Sequence, residues 1–101
     1  MLYHIVVMLP ALDELRAIEV HYRRRISDAI ESQLLHEPAR TSKNRKRLDG
    51  IEAGFEHVQP IWELRVGDWR VFYDIEEADG IVNIRAVRRK DPGKRTEDII
   101  R

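Results

Sequence analysis

A stripe of apolar residues with helical spacing runs through the first third of the chain. Apolar positions recur mostly every three or four residues, as expected for one buried helix face, at Leu12, Leu15, Ile18, Tyr22, Ile26, Ala29, Ile30 and Leu34. Pro10 suits the first turn of a helix, and Pro38 ends the pattern. No Gly or Pro lies between 11 and 37, so the pattern allows one long helix or two helices with a break around 18–22.

Three later segments alternate between apolar and polar residues, which predicts strands. They are IWELRV at 61–66, WRVFYDIE at 69–76 and IVNIRAV at 81–87. Between the first two, Gly67-Asp68 fits a type II′ hairpin turn with glycine first. Residues 2–8, which are rich in Ile, Val and Tyr, predict a further strand, and residues 38–60 predict a loop with a short strand or turn.

The alternation assigns each strand of this antiparallel meander a core face and a polar face. The residues expected in the core are Trp62, Leu64, Val66, Trp69, Val71, Tyr73, Ile75, Val82, Ile84 and Ala86. On the opposite face lie Ile61, Glu63, Arg65, Arg70, Phe72, Asp74, Asn83 and Arg85. We therefore expect one face of the sheet to pack on the helical region and the other to be polar.

Composition limits the class of protein. At 101 residues the chain can form one domain with one modest core, and 43% hydrophobic with 36% charged residues is typical of a folded, highly charged domain. The absence of cysteine excludes disulfides, thiolate catalysis and Cys-ligated metals. No apolar run reaches membrane-spanning length, and MLYHIVVML has neither a basic leader nor a cleavage site, so we expect a cytoplasmic protein.

Two basic segments stand out in a chain whose formal net charge is zero. Residues 40–47 carry five basic side chains and no acid, and residues 85–95 carry six basic side chains and one acid. Either segment alone is most simply a solvated surface. If both lie on one side with the strand arginines, however, a neutral chain still presents a local phosphate-binding surface.

Three strand arginines fall on the predicted polar face: Arg65, Arg70 and Arg85. Because neighbouring strands lie about 4.8 Å apart, we expect these side chains to converge. A guanidinium offers a fork of donors that matches phosphate geometry and keeps its charge at physiological pH. The alternative is cross-strand ion pairing with Glu63 and Asp74.

The hairpin from Arg65 to Tyr73 reads Arg-x-Gly-Asp-aromatic-Arg-hydrophobic-x-Tyr, with Leu48-x-Gly50 before it and a strand with a basic end after it. This arrangement resembles the RelE/ParE superfamily of bacterial toxins from toxin-antitoxin pairs, over nearly the whole chain. The resemblance implies a single α+β domain over residues 1–101, with a twisted antiparallel sheet packed against an N-terminal helical hairpin in the order β-α-α-β-β-β. It also implies a cognate antitoxin that wraps the domain, and no cofactor or metal.

The hairpin motif is most similar to the RelE-like branch, and this implies a ribonuclease. Such toxins cleave messenger RNA in the ribosomal A site without metal, by attack of the ribose 2′-hydroxyl on the adjacent phosphate. By the resemblance, Arg70 stabilises the phosphate, Arg65 supports it, and Lys90 lies near the leaving group. The residues expected to bind RNA are Lys43, Arg45, Lys46, Arg47, Arg85, Arg88 and Arg89.

The general base is the point at which this chain departs from the family. The tyrosine that serves RelE falls near Thr96 here, and no Tyr, Phe or His follows Tyr73. Glu63 is the candidate base, since a carboxylate beside arginines can accept a proton, although those arginines weaken it in that role. His57 is a second candidate by chemistry, and Tyr73 is expected in the core.

The missing tyrosine favours an alternative with the same fold. ParE-like members inhibit DNA gyrase by binding and have no catalytic residues, and a catalytically inactive interaction module is a further alternative. The sequence has no glycine loop that cradles phosphate, no nucleotide fingerprint and no hydrolase elbow, so chemistry with a nucleotide cofactor is not expected.

Overall fold

A five-stranded sheet forms the centre of the computed structural model, which describes residues 1–101. Its strands are β1 (His4–Val7), β2 (Arg45–Leu48), β3 (Ile61–Val66), β4 (Trp69–Glu76) and β5 (Ile81–Arg89), in the spatial order β1-β5-β4-β3-β2. Strands β2 to β5 pair antiparallel, whereas β1 pairs parallel with β5. The α+β fold class is confirmed, and the parallel edge strand is an addition to the predicted antiparallel sheet.

The helical region forms two helices, α1 (Leu9–Arg16) and α2 (Val20–Leu34). The break at 17–19 falls at the start of the predicted range, and Ile18 within it turns into the core with 8% of its surface exposed. The Ile18 N–H bonds to Leu15 O in a tighter turn, and its carbonyl accepts a hydrogen bond from Arg23. None of the helices has both the length and the apolar character needed to cross a bilayer.

The main core lies between the two helices and one face of the sheet. It contains 14 buried residues, among them Ala11 and Leu15 of α1 and Ile26, Ile30 and Leu34 of α2. Tyr73 is fully buried here, as predicted, and its hydroxyl donates to Pro38 O at 2.8 Å. Burial raises the pKa of Tyr73 above its ordinary value.

The other face of the sheet carries a second, smaller core, so the expectation of a wholly polar face is wrong. Its buried residues are Leu48, Ile61, Phe72, Ala86 and Ile100. The segment 49–60 supplies Ile51, Ala53 and Phe55, and the C-terminal helix α3 (Thr96–Ile99) supplies Ile99. These two segments cover the centre of this face, and only its end near the β3–β4 turn is left for a polar site.

A β-bulge in β5 explains why Ala86 lies on this second face and not in the main core as predicted. Phe72 pairs with Ala86 and Tyr73 pairs with Ile84, which leaves Arg85 without a partner in the register. One extra residue in a strand inverts the alternation beyond it. Ala86 therefore faces the same side as Phe72, and Val87 returns to the main core.

Arg85, the unpaired residue at the bulge, forms a buried ion pair with Asp74. Its Nε donates to Asp74 Oδ2 at 2.8 Å, and the two side chains are 9% and 1% exposed. Asp74 accepts further hydrogen bonds from Asn83 Nδ2 and from the Val58 N–H. Through the Val58 N–H, this buried ion pair attaches the 49–60 segment to the sheet. Arg85 therefore has a structural role within the chain.

Two short elements complete the fold, of which a short strand or turn within 38–60 was predicted and the C-terminal helix was not. The strand β2 lies within the basic segment Arg45–Leu48, and only Leu48 of its four residues is buried. Helix α3 spans four residues and follows the turn at Asp91–Lys94. Both elements matter for the site, because β2 and α3 form two of its walls.

Candidate active site

A cavity of about 290 Å³ opens on the second face of the sheet, beside the β3–β4 turn. We call it the cationic cavity. No hydrophobic residue lines it, and its walls come from the loop 42–44, β2, β3, β4, the residue after β5 and the first residue of α3. The lining residues are Ser42, Lys43, Asn44, Arg45, Lys46, Glu63, Arg65, Arg70, Lys90 and Thr96. Six of them are cationic and one is acidic, so the cavity attracts anions.

Two arginines occupy directly opposite positions across the β3–β4 pair. Arg65 is the register partner of Arg70. Like charges at such positions repel and destabilise a sheet, and Arg65 makes no ion pair with any acid of the chain. An anion bound between the two guanidinium groups relieves this repulsion, which is the arrangement expected of a phosphate site.

The guanidinium of Arg70 is held in place by the hairpin turn. Its Nη1 donates to Gly67 O at 2.8 Å and to Trp69 O at 2.9 Å. The turn itself has glycine at φ +59° and no positive φ at Asp68, as the predicted type II′ turn requires. Burial lowers the pKa of Arg70 from its ordinary value, and the charge of Arg65 acts in the same direction. A rigid, poorly solvated cation of this kind interacts strongly with an anion that enters the cavity.

Glu63 lies at the inner wall of the cationic cavity and is only 4% exposed. The Thr96 hydroxyl donates to its Oε2 at 2.9 Å. Its Oε1 lies 3.7 Å from Lys46 Nζ and 4.0 Å from Arg70 Nε. One carboxylate oxygen is thus fixed by a hydrogen bond, and the other faces the cations of the cavity.

Lys90 reaches the cavity from the end of β5. Its backbone N–H donates to Asp68 O at 2.7 Å, which fixes the chain beside the hairpin turn. Lys90 and Lys43 make no ion pairs. The four residues predicted as catalytic, Arg70, Arg65, Lys90 and Glu63, therefore line one cavity, although their roles stay a prediction.

The residues predicted to bind RNA divide into two groups. Lys43, Arg45 and Lys46 line the cationic cavity. Arg45 also has a structural task, because its Nη1 donates to Gln33 O at 2.6 Å and to Glu37 O at 2.8 Å, at the end of α2. The other four, Arg47, Arg85, Arg88 and Arg89, do not line it.

Each of these four arginines has an acidic partner elsewhere. Arg85 pairs with Asp74, so the expected convergence of Arg85 with Arg65 and Arg70 is wrong. Arg88 pairs with Glu14 of α1 and donates to the carbonyls of Ile99 and Arg101. The remaining two form exposed pairs, Arg47 with Asp49 and Arg89 with Asp91.

His57, the second candidate for the general base, lies outside the cavity, whereas three polar residues that were not predicted lie inside it. His57 lies in the segment 49–60 with its Nδ1 against Phe55 O at 2.7 Å, and it does not line the cavity. Thr96, Ser42 and Asn44 line the cavity but were not among the predicted site residues. The signal for Thr96 was present in the sequence, since it stands near the family's tyrosine position, but its contact with Glu63 depends on the fold of residues 91–96.

A family model describes most of this chain. Residues 5–91 match the model of the ParE toxin of type II toxin-antitoxin systems, parDE. The chain belongs to this toxin family. Among curated protein sequences no significant match is found.

Solved structures place this ParE-family toxin in the RelE/ParE fold. The archaeal RelE-RelB complex from Pyrococcus horikoshii matches with a TM-score of 0.70 and 20% identity, over 92% of this chain and 100% of that chain. The toxin-antitoxin complex RelBE2 from Mycobacterium tuberculosis gives 0.66 and 16%, over 89% and 100%. A mutant of the E. coli toxin RelE in the free state gives 0.62 and 21%, over 88% and 84%. The protein is thus a toxin of a toxin-antitoxin system with the RelE/ParE fold.

Proposed function

We propose that this toxin is an endoribonuclease that cleaves messenger RNA on the ribosome. The observation that carries the proposal is the cationic cavity, in which the facing pair Arg65 and Arg70 lies beside the buried carboxylate of Glu63. Cleavage by a ribose 2′-hydroxyl requires cations that bind the phosphate and a group that accepts the hydroxyl proton. Here the acceptor, Glu63 Oε1, lies 4.0 Å from Arg70 Nε.

The proposed reaction is a transfer within the RNA strand. Glu63 Oε1 accepts the proton of the 2′-hydroxyl, and the 2′-oxygen forms a bond to the adjacent phosphorus. The bond from phosphorus to the 5′-oxygen breaks, and Lys90 donates a proton to that oxygen. The products are a 2′,3′-cyclic phosphate and a 5′-hydroxyl end, so atoms and charges balance without a further reactant.

Arg70 and Arg65 stabilise the negative charge that grows on the phosphate oxygens. Arg70 is suited to this because Gly67 O and Trp69 O hold only one of its terminal nitrogens, and its Nη2 makes no hydrogen bond within the chain. Donors placed before the reaction need no reorganisation during it. Lys46 and Lys43 extend the positive lining toward β2 and the loop before it, where neighbouring phosphates of the strand would lie.

A cognate antitoxin is the second partner that we propose. Solved relatives of this fold are RelE-RelB and RelBE toxin-antitoxin complexes. An acidic segment of such an antitoxin would neutralise the cavity, where six cationic residues stand against one carboxylate. The toxin would then be inactive until the antitoxin is removed.

The deciding experiment maps RNA ends in cells. The toxin is induced in bacteria with a translated reporter messenger or an untranslated copy of it, and the 5′ ends of both are sequenced. We expect cuts only in the translated messenger, with 5′-hydroxyl ends, and their loss in Arg70→Ala. Arg24→Gln, on the exposed surface of α2, is the matched control and leaves the cuts in place. Cuts that persist in Arg70→Ala at equal protein level contradict the proposal.

Inhibition of DNA gyrase by binding is the second candidate. The family model that matches is that of ParE toxins, and no histidine or tyrosine lines the cationic cavity. The same experiment separates the two functions. Growth arrest with both messengers intact would support gyrase inhibition, which a supercoiling assay with purified gyrase then tests directly.

A further inference from the structure

A second cavity, of about 340 Å³, lies at the other side of the β3–β4 turn, on the face that carries the helices. We call it the aromatic cavity. It is lined by Tyr22, Arg25, Gly67, Asp68, Trp69 and Arg89. None of these residues lines the cationic cavity. Its volume falls within the range of small-ligand sites.

Aromatic rings form a continuous row along this cavity. The ring centroids of His21 and Tyr22 are 4.1 Å apart, and those of Tyr22 and Trp69 are 6.3 Å apart. Tyr22 is 39% exposed although it lies on a helix that packs on the sheet, and Trp69 is half-buried. Exposed aromatic faces of this kind are the surfaces on which unpaired nucleic-acid bases stack.

Two arginines flank the row. The guanidinium of Arg25 lies directly over the turn, where a Cβ at position 67 would come within 3.4 Å of it. Arg25 makes no ion pair, and Arg89 pairs with Asp91 at 3.0 Å with both side chains more than half exposed. Because exposed pairs contribute little, Arg89 is also free to bind a phosphate.

The β3–β4 turn joins the two cavities. Gly67 O accepts the Arg70 guanidinium of the cationic cavity, and Asp68 O accepts the Lys90 N–H. The same two residues line the aromatic cavity from the other side. A strand that leaves the cationic cavity around the turn therefore arrives at Tyr22 and Trp69.

We propose that the aromatic cavity binds an unpaired base, with its phosphate, of the same single-stranded RNA whose scissile phosphate lies in the cationic cavity. This inference rests on the proposed ribonuclease function. The base stacks on Tyr22 or Trp69, Arg25 binds the phosphate, and the Asp68 carboxylate accepts hydrogen bonds from base N–H groups.

An acidic peptide segment is the competing occupant, since arginines and aromatic rings suit it as well. The shared β3–β4 turn distinguishes the two. It places the aromatic cavity next to the cationic cavity, so a strand of phosphates bound in one continues into the other. RNA is therefore the ligand that the lining supports.

The test is binding of a short single-stranded RNA of mixed sequence to toxin made by cell-free synthesis. Binding is followed by fluorescence anisotropy of the labelled RNA and by quenching of tryptophan emission, to which Trp69 responds because Trp62 is only 6% exposed. We expect Tyr22→Ala and Arg25→Gln each to weaken binding by about tenfold and to reduce the quenching. Tyr22→Phe, which keeps the ring, and Arg24→Gln, which removes an exposed neighbouring charge, leave both unchanged.

Either of the following two results contradicts the inference. RNA that binds without quenching, or equally well to Tyr22→Ala and Arg25→Gln, places no base in the aromatic cavity. Quenching by an acidic peptide but not by RNA assigns the cavity to a protein ligand. Cleavage on programmed ribosomes, measured on the same samples, separates this failure from that of the proposed function. If Tyr22→Ala and Arg25→Gln cleave at the wild-type rate, the proposed ribonuclease function stands without this base site. If the unmodified toxin does not cleave, the proposed ribonuclease function itself is refuted.

Discussion

Glu63 is the residue on which the proposed chemistry depends most. It brings a carboxylate into a cavity that is otherwise lined by cationic and neutral polar residues. Its Oε1 has two cationic neighbours and no hydrogen-bond donor at normal distance. That oxygen is consequently the acceptor available to a substrate hydroxyl.

Replacing Glu63 by glutamine keeps the shape and removes the proton acceptor. We expect Glu63→Gln to slow single-turnover cleavage on programmed ribosomes by about 10²-fold to 10⁴-fold. Glu56→Gln, an exposed glutamate outside the cavity, serves as the control and cleaves at the wild-type rate. Near wild-type cleavage by Glu63→Gln would mean that the carboxylate only orders the surrounding cations.

Thr96 is expected to position Glu63 and not to react itself. Thr96→Ser keeps the hydroxyl donor and retains activity, whereas Thr96→Val leaves Glu63 Oε2 without its partner and lowers the cleavage rate. Single-turnover cleavage on programmed ribosomes is measured together with urea unfolding of each variant. A lower rate of Thr96→Val at unchanged stability, with the rate retained in Thr96→Ser, supports the positioning role, whereas a rate that falls only in step with stability contradicts it.

At the scale of elements, the alternation along β3 and β4 was sufficient to bring Arg65, Arg70 and Glu63 to one face. The same rule failed in β5, because nothing in IVNIRAV marks the bulge at Arg85. A bulge depends on packing on both faces of the sheet, which a single sequence does not display. The short strand expected within 38–60 could not be located for another reason, since β2, Arg-Lys-Arg-Leu, has one apolar residue and belongs to an edge.

The Asp74 ion pair connects the sheet to the 49–60 segment, which covers the second core. Asp74→Ala leaves Arg85 buried without a counter-ion and removes the acceptor of the Val58 N–H. We expect the free energy of unfolding to fall by about 3–5 kcal/mol, measured by urea denaturation.

The matched control for Asp74→Ala is Asp49→Ala. It breaks the exposed pair with Arg47 and should leave the unfolding midpoint unchanged. Equal stability of the two variants would show that the 49–60 segment is held by its apolar contacts alone.

At the scale of the whole molecule, a chain without net charge presents a local cationic cavity. The net charge is zero, yet the lining of the cationic cavity has one acid among seven charged residues. Composition could therefore not reveal the site, and the two basic segments revealed it only in part. Lys43, Arg45, Lys46 and Lys90 reach the cavity, whereas Arg47 and Arg89 pair with acids two residues along the chain. Arg88 pairs with Glu14, which only the tertiary structure brings near.

The stability of the whole fold should depend on pH in the alkaline range. Burial raises the pKa of Tyr73 in the folded state, so the unfolded chain loses the tyrosine proton first, near its ordinary value of 10.0. Stability is then fully present below pH about 10 and decreases as the pH rises above it. Tyr73→Phe should flatten this decrease in a series of urea unfolding curves.

Tyr3 provides the comparison for that series. Its pKa is also raised, chiefly by the hydrogen bond to the Glu77 carboxylate, but the pair is exposed to solvent. Tyr3→Phe should therefore change the alkaline decrease less than Tyr73→Phe. A larger effect of Tyr3→Phe than of Tyr73→Phe would mean that the tyrosine responsible for the alkaline decrease in stability lies at the surface.

The order of the strands has a consequence for how the toxin is made. The cationic cavity draws its lining from residues between Ser42 and Thr96, and β1 finds its only partner in β5. Chains emerge from the ribosome in sequence order, and contacts between distant segments form late. A nascent chain thus has neither a complete sheet nor a complete cavity until β5 and Thr96 have left the exit tunnel. We expect toxicity to arise only after the segment through Thr96 has been synthesised and folded, because the sheet and the cavity are both incomplete before that point.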